Sequence, residues 1–301
     1  MTTDIQAAHP SDTLAASPGD YLALLKPRVM SLVVFTGAIG LVVAEGSLHP
    51  FLAAVALLCI ALGAGAAGCI NMWYEQDLDV LMHRTWHRPI PSGRIAGTTA
   101  LEFGTTLAIA SVMLMGVAVN WMAAGLLTLA IAFYVFVYTV WLKRRTPWNI
   151  VIGGAAGAFP PVIGEAAVTG SVSVASVALF AIIFMWTPPH FWSLALYRSD
   201  DYRRAGIPML PVTAGARTTR WQILVYSALM IPVSMTPWFL GSAGSLYGAG
   251  AALLSVIFTG GAVAILVHRN EASARWMFRY SILYLAALFA LLGIDHGIHM
   301  P

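Results

Sequence analysis

The chain has 301 residues, of which 59% are hydrophobic and 10% charged, with a mean hydropathy of +0.78 and a formal net charge of +3. A soluble domain carries about 25% charged residues, so this composition excludes one and points to an integral membrane protein. Long unbroken apolar runs, in place of short alternating segments, select helices over a β-barrel.

Residues 1–20 are expected to form a flexible tail rich in Ala, Ser, Thr and Pro, with a short interfacial helix beginning near Pro18. Residues 21–301 then form one transmembrane domain. Asp4, Asp12 and Asp20 fall within the first 25 residues, which hold no Lys or Arg. That is the wrong charge for a signal or transit peptide, so a bacterial cytoplasmic membrane is the expected location.

Apolar segments long enough to cross the hydrocarbon core run over 29–45, 50–70, 98–118, 121–142, 148–168, 174–196, 221–240, 246–267 and 276–293. Cys59 and Cys69 share the second segment and read as buried small apolar residues. All 16 Lys and Arg residues fall in alternate connections, and none lies near 46–49, 119–120, 169–173 or 241–245. The positive-inside rule then predicts an all-α bundle of nine transmembrane helices, with the N-terminus cytoplasmic and the C-terminus outside. Two cytoplasmic connections are long, 71–97 and 197–220, and each passes from acidic residues into a Pro segment. This weak similarity predicts two related helical halves facing one cavity.

The small-residue runs at 63–68 and 153–158 predict close helix approach. Phe159, Pro160 and Pro161 follow the second run and are expected to kink its helix, leaving room for a large ligand or a close protein neighbour.

Asn71, Glu75 and Asp79 are spaced four apart where the second apolar segment ends. A continuous helix stacks their oxygens on one face. An all-oxygen set at a membrane boundary favours Mg²⁺, which keeps few carboxylates and fills its shell with water and phosphate oxygens. Asp77 lies on another side of that helix. Tyr197, Asp200 and Asp201 form a second constellation at the end of the sixth segment. Two acidic groups converging at low dielectric require cations between them, and metal ions are the expected ones, held by Asn71, Glu75, Asp79 and Asp201. Arg28, Arg84, Arg88, Lys143 and Arg204 lie around these carboxylates and suit a diphosphate, with Lys143 the leading candidate. His190, in WTPPHFW, reads either as a packing histidine or as a contact to an iron-bearing substrate.

These residues resemble the intramembrane prenyltransferases of the UbiA superfamily, and within them the branch that acts on haem. The resemblance runs from LKPRV at 25–29 through NMWYEQDLDVLMHRTWHRPIPSGRI at 71–95, YTVWLKRRTPWNIVIGGAAGAFPPVIG at 138–164, WTPPHFWSLAL at 186–196 and DDYRRAGIPMLPV at 200–212. The family's NxxxDxxxD motif falls on Asn71, Glu75 and Asp79, with Glu in the middle place. Its second motif, DxxxD, falls on Tyr197 and Asp201, with Asp200 adjacent.

The resemblance implies a nine-helix UbiA-type bundle whose catalytic residues are Asn71, Glu75, Asp79, Tyr197, Asp200 and Asp201. It implies a Mg²⁺-dependent transfer of farnesyl from farnesyl diphosphate to a vinyl group of protohaem IX, giving haem O at the cytoplasmic side of the membrane. His190 would contact the haem, and a downstream haem A synthase would be a partner. Rival readings are a UbiA-type enzyme acting on an aromatic or quinone precursor, an ion-coupled transporter, and a haem-binding assembly factor without catalysis.

Overall fold

The computed structural model describes residues 16–299, and these are helical with no strand. The expected tail at 1–20 therefore lies outside the described residues as far as residue 15. A helix, α1 (Pro18–Leu24), begins at Pro18; Ser17 caps it and Asp20 returns the bond to Ser17. It is followed by α2 (Pro27–Val42), α3 (Pro50–Tyr74), α4 (Gln76–Asp79), α5 (Gly97–Ala118) and α6 (Trp121–Ala132). The last continues as a π-helix over Phe133–Leu142. Then come α7 (Asn149–Thr169), α8 (Val174–Tyr197), α9 (Ser199–Arg204), α10 (Leu210–Thr213), α11 (Gly215–Ser234), α12 (Thr236–Phe239), α13 (Ser245–His268) and α14 (Glu271–His299).

Among the described residues, 8 helices are long and apolar enough to cross a membrane, and the α1–α2 pair, bent by 55°, makes up to 9. The chain is a multi-span membrane protein. The expected spans hold in place and order, but α3 runs on to Tyr74, α11 starts earlier at Gly215, and α14 extends from Glu271 to His299. These extensions are polar helix ends that an apolar window does not register.

The helix ends are fastened by side chains. Asn120 accepts from Ala123 N at 2.8 Å and donates to the Ala166 carbonyl at 2.9 Å, capping α6 while tying it to α7. Glu165 accepts from both the backbone and the hydroxyl of Ser173, the α8 cap. Asp295 of α14 accepts from Gly244 N and Tyr247 N at the start of α13. These links satisfy terminal N–H groups that lipid cannot.

The core is divided. One cluster joins α3, α5, α6 and α7 around Cys59, Ile60, Met115 and Leu127; another joins α8, α11, α13 and α14 around Trp192, Tyr247, Phe258 and Tyr284. Helix α2 packs on α7 and also meets α14, linking the two. Both cysteines are free and buried, as their apolar setting predicts.

The kink expected at Pro160 and Pro161 does not break the helix, because α7 runs through both residues. The protein neighbour of the alternative fills the space instead: Gly37 and Gly40 of α2 lie directly against the two prolines, and a Cβ on Gly40 would overlap the Pro161 backbone. Missing side chains let the two backbones approach, as small residues do in lipid where no hydrophobic drive brings helices together.

Candidate active site

The site begins with an unusual turn. Lys26, between α1 and α2, is a non-glycine residue in the left-handed region, φ 52°, a conformation that costs about 1–3 kcal/mol unless its surroundings hold it. Gly65 and Gly68 of α3 make room for Leu25 and the Lys26 stem. The ammonium then reaches Asn71, donating to Oδ1 at 3.0 Å. Asn71 is turned the right way by Thr139 of the π-helix, which accepts from Asn71 Nδ2 at 3.1 Å while its own hydroxyl donates to the Tyr134 carbonyl at 2.9 Å.

The single continuous helix expected through Asn71, Glu75 and Asp79 is interrupted: α3 stops at Tyr74 and Glu75 sits at the junction with φ −101° and ψ 13°. The register survives because Glu75 N bonds to the Asn71 carbonyl at 3.0 Å and Asp79 N to the Glu75 carbonyl at 2.8 Å. All three side chains are buried, each 3% exposed.

Each of the three has a cation from a different part of the chain. Lys26 serves Asn71, Lys143 reaches Glu75 Oε2 at 2.5 Å, and Arg88 reaches Asp79 Oδ2 at 2.7 Å. Lys143 arrives from the end of the π-helix, whose wider turn carries Tyr138 onto Gly153 of α7. The chain thus supplies counter-cations of its own to the acidic crowding, from the basic rim that the sequence places around it. Desolvation makes such pairing obligatory for buried carboxylates.

The second constellation is thinner. Helix α8 ends at Tyr197, Arg198 breaks the helical path at φ −120°, and α9 carries Asp201 into a buried position, 5% exposed. Arg204 and, at 3.8 Å, Arg198 face Asp201. The Asp200 side chain instead points outward, 80% exposed and paired with Arg203, because adjacent residues of one turn cannot share a face. Tyr197 is half-buried. Arg28 and Arg84 are exposed. Leu78 and Met82 from the first connection pack with Tyr138, Tyr202, Ile207 and Met209, which locks the two acidic connections together.

Two buried carboxylate oxygens in these constellations, Glu75 Oε1 and Asp201 Oδ2, have no hydrogen-bond partner. Buried oxygens without a hydrogen-bond donor are costly, and both are hard oxygens of the kind that Mg²⁺ takes. Among the described residues no three His, Cys, Asp or Glu side chains form a metal cage.

His190 lies deeper in α8. Its ring is stacked between Trp186 at 4.3 Å and Phe278 at 4.7 Å, and Nδ1 is 2.6 Å from Ser281 Oγ. Ser281 commits its one hydroxyl proton to the Phe278 carbonyl at 2.6 Å. Ser281 Oγ thus bonds both His190 Nδ1 and the Phe278 carbonyl, which fixes the imidazole in place and turns its Nε2 edge away from Ser281.

Lys26 and Thr139 were not singled out by sequence reasoning. Lys26 looked like one more topological charge, and Thr139 like a minor residue in an apolar run; a Lys beside a Pro at a span's start was the available signal.

Residues 33–288 match the UbiA prenyltransferase family. The chain is 54% identical to the Protoheme IX farnesyltransferase of Parvibaculum lavamentivorans strain DS-1, over 97% of this chain and 95% of that one. It is 56% identical to the protein of the same name from Rhodopseudomonas palustris strain BisB5, over 93% and 91%. Among solved structures, a digeranylgeranylglyceryl phosphate synthase superposes with a TM-score of 0.77 at 17% identity, covering 92% of this chain and 98% of that one. A UbiA homologue from Archaeoglobus fulgidus bound to GPP and Mg²⁺ gives 0.66 at 19% identity, covering 91% and 99%. With its family match, its relatives and its bundle in agreement, the chain belongs to the UbiA prenyltransferase family.

Proposed function

We propose that this chain transfers the farnesyl group of farnesyl diphosphate to a vinyl group of protohaem IX, releasing diphosphate, with water supplying the hydroxyl of haem O. The observation that carries the reading is 54% identity over 97% of the chain to a relative named for that reaction. The site geometry supports the reaction class, because buried oxygens meet half-buried cations where a diphosphate and its counter-ions would sit.

Asn71, Glu75, Asp79 and Asp201 would hold Mg²⁺, with the free oxygens of Glu75 and Asp201 as ready donors. When bound, Mg²⁺ supplies charge neutralisation of the diphosphate leaving group; the A. fulgidus homologue carries this ion with GPP. Lys26 would exchange the Asn71 amide oxygen, and Lys143, Arg88 and Arg204 their carboxylate partners, for phosphate oxygens. Their positive charge opposes the negative charge that grows as the C–O bond breaks. The faces of Tyr74 and Tyr138, over which Arg144 and Lys143 already lie at 5.2 Å and 5.7 Å, suit an allylic cation. The apolar walls keep water from it until the vinyl carbon has attacked. His190 presents Nε2 to the haem.

The charge distribution supports a bacterial inner membrane with the N-terminus and the site on the cytoplasmic side. A haem A synthase would consume the product. The test is incubation of the purified protein with haem b, farnesyl diphosphate and Mg²⁺, followed by mass analysis of the porphyrin. A haem carrying one farnesyl and one hydroxyl is expected; unchanged haem, or prenylation of 4-hydroxybenzoate in its place, overturns the reading.

A further inference from the structure

Tyr197 stands where the second family motif places an Asp, and the structure shows what that exchange builds. Two guanidiniums lie over the Tyr197 ring, Arg275 at 5.4 Å and Arg198 at 5.9 Å. Arg275 comes from the start of α14 and Arg198 from the end of α8, so the two helices converge on one phenol. Both side chains are half-exposed, 56% and 48%. Their present partners hold them loosely: Arg275 has Glu271, an exposed pair one turn away on its own helix, and Arg198 has Asp201 at 3.8 Å. The exposed Arg275–Glu271 pair contributes about 0–1 kcal/mol, and Arg198 is too far from the buried Asp201 for a hydrogen bond, so both guanidiniums have donors to offer another anion.

The Tyr197 ring also connects to His190. Phe278 stacks on His190 at 4.7 Å and meets Tyr197 edge-on at 6.3 Å. A path of flat rings therefore leads from the imidazole, inside the bundle, to the two guanidiniums at its charged end. An Asp at position 197 would face the same mouth with a negative charge.

We infer that Arg198 and Arg275, carried on Tyr197, form a carboxylate clamp that holds the two propionates of the porphyrin acceptor at the membrane boundary while its macrocycle extends into the bundle on the side of the Nε2 edge of His190. The inference rests on the proposed haem acceptor. Its logic is that of an amphipathic ligand: an apolar macrocycle takes the bundle interior, and two carboxylates stay at the interface on forked guanidiniums, which match carboxylate geometry. Lys26, Lys143, Arg88 and Arg204 serve the diphosphate, so the two anionic substrates use different cations, which come nearest each other at Asp201, faced by both Arg198 and Arg204.

The test compares protohaem IX with its dimethyl ester, whose propionates carry no charge, on protein in nanodiscs of zwitterionic lipid. Binding is read from the haem absorbance, separately from farnesyl transfer. Wild type is expected to bind the free acid about 10-fold more tightly than the ester, the scale of one charge-assisted hydrogen bond. R275Q and R198Q should each lose that preference without weakening ester binding, and R275K should restore part of it. Their KM for farnesyl diphosphate should stay within about 2-fold of wild type.

Equal binding of acid and ester by wild type overturns the clamp, as does a variant that loses both acceptors equally or raises the KM for farnesyl diphosphate. A preference seen only with anionic lipid assigns the arginines to headgroups and also overturns it. Acid-over-ester binding without any farnesyl transfer upholds the clamp and removes the reaction alone, so the two failures are distinguishable.

Discussion

The two acidic connections begin alike, each at the polar end of a long apolar helix, and they end as different devices. In the first, three buried oxygen-bearing residues stand in register, each held by a cation from elsewhere in the chain. In the second, one carboxylate, Asp201, is buried, and the place one turn before it holds a phenol under two guanidiniums. The difference teaches that a motif duplicated in outline can divide its labour. On the proposed function, the first half supplies the buried carboxylates that would hold a metal and, through it, a diphosphate. The second replaces half of that charge with a surface that attracts anions.

The largest effect expected from breaking this division is in the first half. Asn71→Ala or Asp79→Ala should lower farnesyl transfer by about 10³-fold or more, the scale of losing a transition-state electrostatic contact, while both proteins still insert in the membrane. Single-turnover rates on variants quantified in membranes check this, and wild-type rates in either one remove the metal site from these residues.

A smaller and more diagnostic effect belongs to the Lys143–Glu75 pair. Lys143→Met leaves Glu75 buried without its partner, which costs about 3–5 kcal/mol of stability, and removes a cation from the diphosphate. The double variant Lys143→Met with Glu75→Gln should recover much of the stability, because no lone charge remains. It should not recover kcat/KM for farnesyl diphosphate, expected to stay about 10²-fold down. Recovery of both would make the pair a structural strut with no part in catalysis.

The topology was legible because lipid imposes it. Each span must be long and apolar, so the sequence carries the number and order of the helices. The acidic registers were legible for a related reason: Asn71 ending an apolar run has no inexpensive structural explanation. Three features were not legible. The break at Glu75 and the π-helix at Phe133–Leu142 shift the backbone without changing side-chain spacing. The pairing of Lys26 with Asn71 depends on glycines at 65 and 68 of another helix, a non-local fit that no local pattern encodes.

The smallest effects should come from Asp77, outside both constellations, and from Asp200, the member of the second that points outward. Asp77 is exposed and held by the Arg144 fork at 2.8 Å and 2.9 Å, and Asp200 is exposed beside Arg203. The Arg144 hydrogen bonds hold the Asp77 carboxyl below its ordinary 3.8. A lowered folded-state value means that the pair stabilises the protein above that ordinary range and ceases to do so as acid protonates Asp77. At neutral pH it is therefore fully formed, yet exposure and salt limit its worth to about 0–1 kcal/mol. Asp77→Asn and Asp200→Asn should each change thermal stability and farnesyl transfer by less than about 2-fold in the relevant equilibrium or rate. A large loss of transfer in Asp200→Asn would require its side chain to turn inward when substrate binds. The second connection would then carry two working carboxylates and lose its contrast with the first.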